Sequence, residues 1–306
     1  MQKQTLVDER TVELGDATSV AALVQMGSGE LKIAGGAASL LAGRFEYGAP
    51  GWKPEVDYSV EDGRGSLTVK PPAERPARDT DAAYHWDLAF GDEIPLDLAL
   101  QLGSGKAALN LGGTALRTLD SAVGSGEFAA DLAGGMDLLS DAALRVASGR
   151  TTMVLSGVYP ALEKLRIESA SGLVDLALGG RYEGLRRLTV RGASGDINLG
   201  MTGDYPALEG LAVDTASGTV DINFGDRLEQ DLSARINCVS GRVIVRYPPE
   251  GGVSVRFTSV TGKVDAPGLR KEGNRYVNKA YGQAEFDLEL SVSSVSGKLI
   301  LQPCGA

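Results

Sequence analysis

The sequence has little of what catalytic and metal sites usually require. Among 306 residues there is one histidine, His85, there are two cysteines, Cys238 and Cys304, and aromatic residues make up 6% of the chain. A structural zinc site needs about four nitrogen or sulfur ligands, which these residues do not supply. We therefore expect no metal and no cofactor. Cys238 is predicted to be a small buried residue, and a disulfide with Cys304 would require the last strand to lie beside it.

Positive charge and long apolar runs are also scarce. Asp and Glu number 40 against 30 Lys and Arg, so the formal net charge is −10 and a nucleic-acid partner is excluded. There is no run of eighteen apolar residues, and residues 1–10 are polar and charged. We therefore expect neither a membrane span nor a signal peptide in this sequence. The hydrophobic share of 43% is sufficient for a sizeable core.

Glycine, in contrast, is abundant and regularly spaced. There are 41 glycines, and a tripeptide of a small residue, serine and glycine recurs at a constant interval of 23 residues. Its six turn glycines are Gly126, Gly149, Gly172, Gly195, Gly218 and Gly241. A fixed period of this length is typical of a solenoid, in which each coil buries its apolar face only against its neighbours.

Apolar and polar residues alternate on both sides of each turn glycine. In one coil Leu165 and Ile167 precede the turn, and Val174 and Leu176 follow it. Alternation with period two predicts two short strands per coil, and glycine permits the corner between them. Equivalent strands of successive coils would pair in parallel. We therefore predict an all-β fold, a single-chain β-solenoid resembling a parallel β-helix, with 23-residue coils.

A leucine-rich repeat is the competing architecture, because Leu162, Leu165 and Ile167 fit its opening pattern. That repeat requires Asn or Cys and then another Leu, where this chain has Ala170 and Gly172. The second half of the coil also alternates like a strand instead of forming a helix. The β-solenoid is therefore favoured over the leucine-rich horseshoe.

Both ends of the chain depart from the regular repeat. Turn glycines near the N-terminus are unevenly spaced, so residues 1–97 are predicted to form an irregular N-terminal cap. Residues 98–306 are predicted to continue the same stack as a β-solenoid. An insertion near residues 266–290 contains a basic, polar stretch, which we interpret as an edge hairpin that seals the C-terminal end. A docking loop for a partner is the alternative.

Several segments of the first 130 residues resemble a known family. They are residues 27–36 (GSGELKIAGG), 52–58 (WKPEVDY) and 94–98 (IPLDL). They resemble the toast-rack N-terminal domain of bacterial cell-envelope proteins, a group that also holds relatives of LiaF-type regulators of the response to cell-wall-active antibiotics. The later repeats are similar, more loosely, to the β-solenoid regions of adhesin-like proteins. The resemblance implies an exported or anchored protein, with its leader or anchor absent from this sequence, and brings no catalytic residues.

Three tyrosines recur at the same interval of 23 residues. They are Tyr159, Tyr182 and Tyr205. Their rings are predicted to stack along one edge of the coils, covering the core and leaving the hydroxyls in water. The alternative is an exposed aromatic strip beside Arg181, Arg186 and Arg187 that binds a glycan or a partner protein. These tyrosines and arginines are the candidate binding site.

A row of polar residues follows the turn glycines, namely Asp175, Asn198 and Asp221, and is predicted to project outward from adjacent coils. Stacked carboxylates would suit calcium or acid–base chemistry. The amide interrupts the charges, however, and Ile244 ends the row, so a solvated face is favoured. His85 is interpreted as a packing residue. Polysaccharide lyases and hydrolases that are built on β-helices need carboxylates that converge with Arg, Lys or His, usually on long loops. The short central coils do not provide such loops.

Taken together, these patterns predict a non-catalytic interaction or scaffold protein of the cell envelope, acting in the response to envelope stress. A polysaccharide-active β-helix enzyme and a glycan-binding adhesin module are the alternatives. The expected partners are an envelope protein or a cell-wall glycan. Copies of the chain are expected to associate through a solenoid end or a flat face. The expected location is the cell envelope or the outside of the cell.

Overall fold

The computed structural model describes residues 5–73, 84–226 and 228–305. These residues form 21 strands and one 3₁₀ turn, Pro50–Trp52, with no α-helix among them. None of the described segments is therefore a helix long and apolar enough to cross a bilayer. The all-β prediction is confirmed. The chain falls into two compact units, residues 1–149 (unit 1) and residues 150–306 (unit 2).

The described part of unit 1 contains eight strands and the start of a ninth. They are β1 (Leu6–Val12), β2 (Ser19–Ala37), β3 (Leu41–Tyr47), β4 (Glu55–Glu61), β5 (Arg64–Lys70), β6 (Tyr84–Gly91), β7 (Leu96–Asn110), β8 (Leu116–Asp131) and β9 (Asp141–Val158).

Unit 1 mixes parallel and antiparallel pairs. β2 pairs in parallel with β5, β6 and β7, and β7 pairs in parallel with β8. The antiparallel pairs are β1 with β3, β3 with β6, and β4 with β5. Val69 of β5 and Leu100 of β7 are both register partners of Val24 in β2. β5 and β7 therefore pair with the same part of β2 on its two sides, and the chain leaves the stack of coils after β2 and returns to it at β7. This detour explains the uneven glycine spacing. The boundary between residues 97 and 98 stays a prediction.

Unit 2 continues with twelve further strands among its described residues. They are β10 (Lys164–Ser169), β11 (Leu173–Arg181), β12 (Arg187–Gly192), β13 (Asp196–Met201), β14 (Gly210–Asn223), β15 (Leu232–Tyr247), β16 (Gly252–Ser259), β17 (Lys263–Asp265), β18 (Arg270–Glu272), β19 (Arg275–Val277), β20 (Asp287–Ser294) and β21 (Ser296–Pro303).

The coils of unit 2 stack in the register that the repeat predicted. In one ladder β10, β12, β14 and β15 pair in parallel, so Leu165, Leu188 and Leu211 are neighbours. In the other, β11, β13, β14 and β15 pair in parallel, and Leu176 faces Leu199. Each step along a ladder is one 23-residue coil, which confirms the solenoid prediction. A leucine-rich repeat is excluded, because β11 occupies the part of the coil where that repeat has a helix or irregular chain.

The last coil does not lie at the end of the ladder. β20 pairs in parallel with β15 on one side and β16 on the other, and β21 lies between β15 and β17 in the same way. The C-terminal coil is therefore inserted between two coils that precede it in sequence. β19 pairs antiparallel with β16 and with β18, which places a hairpin inside the segment 266–290.

The turn glycines bring the backbones of successive coils into close contact. Gly218 has a φ of 111°, and a Cβ atom there would lie 1.9 Å from the carbonyl oxygen of Gly195. In unit 1 Gly126 has a φ of 116° and the same separation from the carbonyl of Gly105. A side chain at either position would combine an unfavourable backbone angle with an overlap. Only glycine is compatible with these corners.

Candidate functional site

The three repeat tyrosines lie inside unit 2. The exposed fractions of Tyr159, Tyr182 and Tyr205 are 0%, 0% and 4%. Their rings stack nearly parallel, with centroids 5.0 Å apart in the first pair and 5.1 Å in the second. The predicted stacking is therefore present. The alternative of an exposed aromatic strip is not realised, because the coils enclose the rings.

The tyrosine hydroxyls are also inside, which corrects the expectation that they would be in water. Tyr182 Oη donates a hydrogen bond to the carbonyl oxygen of Leu155 at 2.8 Å, and Tyr205 Oη donates to that of Leu178 at 2.7 Å. Burial raises the pKa of both phenols. A backbone partner satisfies each hydroxyl, so the whole side chain can be buried. The tyrosines therefore connect neighbouring coils.

The three arginines predicted beside the tyrosines are exposed, in two different settings. Arg181 forms an ion pair with Glu183 at 2.9 Å, and Arg186 forms one with Glu209 at 3.1 Å. Arg187, the first residue of β12, has no ion pair within the described ranges. A binding role for these arginines stays a prediction, now separate from the tyrosines.

A further set of arginines lies on the same face of unit 2 as Arg187. The register aligns Arg235 of β15, Ser291 of β20, Arg256 of β16 and Arg275 of β19 on four adjacent strands. We call Arg235, Arg256 and Arg275 the arginine row. Arg256 and Arg275 are direct partners in an antiparallel pair. No repeat in the sequence predicts this row; its signals there are the basic stretch that contains Arg275 and the arginines within β15 and β16.

A shallow groove of about 360 Å³ surrounds the arginine row. Its two acidic residues are engaged: Glu209 pairs with Arg186, and Glu289 accepts a hydrogen bond from the hydroxyl of Tyr281. Across the described parts of the chain, no carboxylate lies within ion-pair distance of any member of the arginine row. The hydroxyl-bearing residues that line the groove are Ser233, Ser254 and Ser291. The groove therefore combines unpaired positive charge with hydroxyl groups.

The polar row Asp175, Asn198 and Asp221 projects outward as predicted, but its groups bind one another and nearby arginines. Asn198 Nδ2 donates to Asp175 Oδ1 at 2.5 Å. Arg246 bonds to Asp221, and Arg150 lies 3.9 Å from Asp175. Among the residues with described positions, no three acids, histidines or cysteines form a group that could hold a metal. These contacts support the solvated-face interpretation.

His85 is a surface residue of unit 1, which corrects its interpretation as a packing residue. Its side chain is 43% exposed, and its Nδ1 lies 3.0 Å from Glu30 Oε2. Glu46 of β3 and Glu30 of β2 are its neighbours on either side. Charges therefore alternate across this face of unit 1. The histidine belongs to that network.

The two cysteines are free thiols. Cys238 is 1% exposed, as expected for a small buried residue, and burial raises its pKa. Cys304 donates a hydrogen bond to Asn223 Oδ1 at 3.2 Å. The thiols are therefore structural groups, and no disulfide joins them.

The sequence of unit 1 matches a known family. Residues 1–149 correspond to the family described as the N-terminal domain of toast_rack. Residues 1–149 are a toast_rack N-terminal domain. The match covers the segments 27–36, 52–58 and 94–98, whose residues predicted this relationship, and it extends to the end of unit 1. No curated protein matches the chain.

Several solved structures resemble the chain that contains this toast_rack domain. One is a provisionally assigned cell adhesion protein from Clostridium sporogenes, with 18% identity, a TM-score of 0.33, and coverage of 98% of this chain and 100% of that one. A provisionally assigned adhesin from Bacteroides fragilis has 9% identity, a TM-score of 0.41 and coverage of 98% of both chains. A provisionally assigned lipid-binding protein from Parabacteroides distasonis has 14% identity, a TM-score of 0.43, and coverage of 98% and 97%.

Proposed function

We propose that the chain is a non-catalytic interaction protein of the bacterial cell envelope that acts in the response to envelope stress by binding cell-wall polymer. The toast_rack N-terminal domain supports the envelope location, because its sequence resemblance connects it with envelope proteins. The proposed site of action is the envelope or the outside of the cell. The face of unit 2 that carries Arg187 and the arginine row is the proposed contact surface.

The observation that carries the proposal is unpaired positive charge on an acidic chain. The formal net charge is −10, yet Arg187 and the arginine row have no acidic partner within the described ranges. A guanidinium group forms charge-assisted, often bidentate hydrogen bonds with carboxylates and phosphates. Anionic cell-wall polymers carry these groups. A surface of this kind is therefore suited to holding such a polymer.

Catalysis is not part of the proposal. An acid–base pair needs carboxylates with perturbed protonation that converge on a groove. The outward carboxylates Asp175 and Asp221 are held by an amide and by arginine, and Glu289 in the groove is held by a tyrosine hydroxyl. These carboxylates are therefore engaged, and the arrangement is suited to binding an anion.

Cosedimentation of the full chain with purified bacterial cell walls tests the proposal. One variant replaces the unpaired arginines of the face, and a control replaces arginines that already have acidic partners. The face variant is Arg187→Gln, Arg235→Gln, Arg256→Gln and Arg275→Gln; the control is Arg10→Gln, Arg44→Gln, Arg145→Gln and Arg191→Gln. We expect the wild-type chain and the control to bind, and the face variant to bind at least tenfold more weakly. Equal binding by both variants, or no binding by the wild-type chain, would contradict the proposal.

A further inference from the structure

We infer that the groove around the arginine row binds a phosphate group carried by an envelope component. The inference rests on the proposed function and specifies the chemistry of its ligand. The phosphate can belong to a phosphodiester polymer of the cell wall or to a lipid headgroup, and both present the same tetrahedral anion. Four observations support the assignment.

The first is the spacing of the groups across the sheet. Ser291 lies between Arg235 and Arg256, one strand away from each. Adjacent strands are about 4.8 Å apart, so the two arginine backbones are separated by about 10 Å with a small side chain between them. Two arginine side chains can reach over a serine at this distance and leave space above it; Arg235, whose Nε donates to the neutral amide oxygen of Asn237 at 3.5 Å, would exchange this long contact for the phosphate. A phosphate in that space would receive hydrogen bonds from both guanidinium groups.

The second observation is the pairing of like charges. Arg256 and Arg275 are direct partners in the antiparallel pair of β16 and β19. Like charges directly opposite each other destabilise a sheet. The acid opposite Arg275 on β18 is Glu272, but its carboxylate bonds to Arg270. A bound anion would therefore neutralise charge that the described part of the chain leaves without a partner.

The third observation is that the neighbouring row of the same sheet does neutralise itself. Arg191 lies between Glu168 and Asp214, at 3.6 Å from the first carboxylate and 3.8 Å from the second. The chain thus places acids beside an arginine on this face where no ligand is expected. Within the described ranges no carboxylate pairs with the arginine row in this way, which marks that row as a place for an external anion.

The fourth observation is the lining of the groove. Ser233 and Ser291 are exposed on its floor and can donate hydrogen bonds to phosphate oxygens. A volume of about 360 Å³ is at the lower end of the range for small-molecule sites and is large enough for a phosphorylated sugar or polyol unit. Three arginines and two carboxylates, Glu209 and Glu289, line the groove, and Glu209 is paired with Arg186, so the groove keeps net positive charge.

Titration calorimetry on the full chain tests the inference with three probes. They are inorganic phosphate, a soluble oligomer of glycerol phosphate, and vesicles of phosphatidylcholine with phosphatidylglycerol. The test variants are Arg235→Gln and Arg256→Gln. The matched control is Arg242→Gln, an exposed arginine of the same strand β15 that lies beyond the Gly241 corner and outside the groove.

We expect saturable binding of phosphate, about tenfold weaker in each groove variant and unchanged in the control. Tighter binding of the oligomer or of the vesicles identifies the source of the phosphate. Undetectable binding of every probe, or equal weakening by Arg242→Gln and the groove variants, would overturn the inference. Cell-wall binding without phosphate binding would remove only this inference, and phosphate binding without cell-wall binding would remove only the proposed function.

A second variant guards against loss of folding. Ser291→Asp places a carboxylate between Arg235 and Arg256, in the position assigned to the phosphate. We expect this variant to lose phosphate binding and to unfold at a higher temperature than the wild-type chain, because the new carboxylate neutralises the arginines. Retained phosphate binding, or a lower unfolding temperature, would contradict the assigned position.

Discussion

Tyr182 and Tyr205 each donate a hydrogen bond to a carbonyl oxygen of the preceding coil, that of Leu155 and that of Leu178. A phenylalanine would bury the same ring without this bond. The bond contributes about 1 kcal/mol and fixes the position of each ring against the coil before it. At the scale of the residue, the repeated tyrosine is therefore a connection between coils. Its burial also determines how it responds to alkali.

The free energy of unfolding should fall as the pH rises above about 10. Burial raises the pKa of Tyr182 and Tyr205 in the folded chain, whereas in the unfolded chain both phenols ionise near pH 10. Above that pH the unfolded state releases protons that the folded state retains, so unfolding is favoured by about 1.4 kcal/mol per pH unit for each phenol. Because the unfolded phenols are only partly ionised around pH 10, the loss between pH 9 and pH 11 is about 1.4 kcal/mol for each phenol, and urea unfolding over this interval measures it.

The double variant Tyr182→Phe with Tyr205→Phe provides the comparison. Between pH 9 and pH 11 its free energy of unfolding should fall by about 2.8 kcal/mol less than that of the wild-type chain, because two titrating groups are removed. Other groups that titrate in this range are the same in both chains and cancel in the difference. Identical losses would mean that the phenols ionise equally well in the folded state.

At the scale of the structural element, the corner between the two strands of a coil depends on the glycine backbone. The corner glycines Gly195 and Gly218 have φ values of 113° and 111°. Their backbones are so close that a Cβ atom at Gly218 would overlap the carbonyl oxygen of Gly195. Gly210, at the start of β14, differs in both respects. Its φ lies outside the positive region that side chains disfavour, and a Cβ atom there would have no neighbouring atom within 4 Å. These positions form a matched pair for one substitution.

Gly218→Ala should destabilise the chain by about 3 kcal/mol or more, because it adds both backbone strain and an overlap with the Gly195 carbonyl. Gly210→Ala should change stability little or increase it by up to about 1 kcal/mol, since alanine restricts the unfolded chain and meets no neighbour. Thermal unfolding of both variants measures the difference. A similar loss in both would show that the corner is not the determining feature.

At the scale of the whole chain, unit 2 is held together by contacts between neighbouring coils. The tyrosine stack shows this directly: Tyr182 contacts Tyr159 on one side and Tyr205 on the other, at centroid distances of 5.0 and 5.1 Å. The outer two rings are separated by the middle one. Energetic coupling should therefore decay over a single coil.

Double-mutant cycles test this decay. For Tyr159→Leu with Tyr182→Leu we expect a coupling free energy of about 1 kcal/mol, the usual contribution of a stacked aromatic pair. For Tyr159→Leu with Tyr205→Leu we expect a value close to zero. Urea unfolding of the single and double variants supplies both cycles. Equal coupling in the two pairs would indicate that the unit responds as one body to changes anywhere in the stack.

Much of this fold follows from the sequence, because the register of the coils equals the period of the repeat. Leu165, Leu188 and Leu211 lie at repeat positions and are neighbours in the structure. The insertion of β20 between β15 and β16 was not predicted, because parallel strands with the same alternation can pair in any order. The arginine row was missed for the same reason. Arg235 and Arg256 do not recur at the repeat interval, and only the inserted coil brings them to either side of one serine.

The shared register of the central coils has an evolutionary consequence. Leu173 of β11 faces Arg150 on one side and Asp196 on the other, so both neighbours of this coil present equivalent positions to it. If recombination removed or duplicated one complete coil, the coils on either side of the change would pair through these equivalent positions. The same side chains would still point inward. An insertion of a single residue would instead move the inward side chains of the rest of that strand to the outer face. Related chains are therefore expected to differ in length by whole coils, with the corners conserved and the number of repeats free to vary.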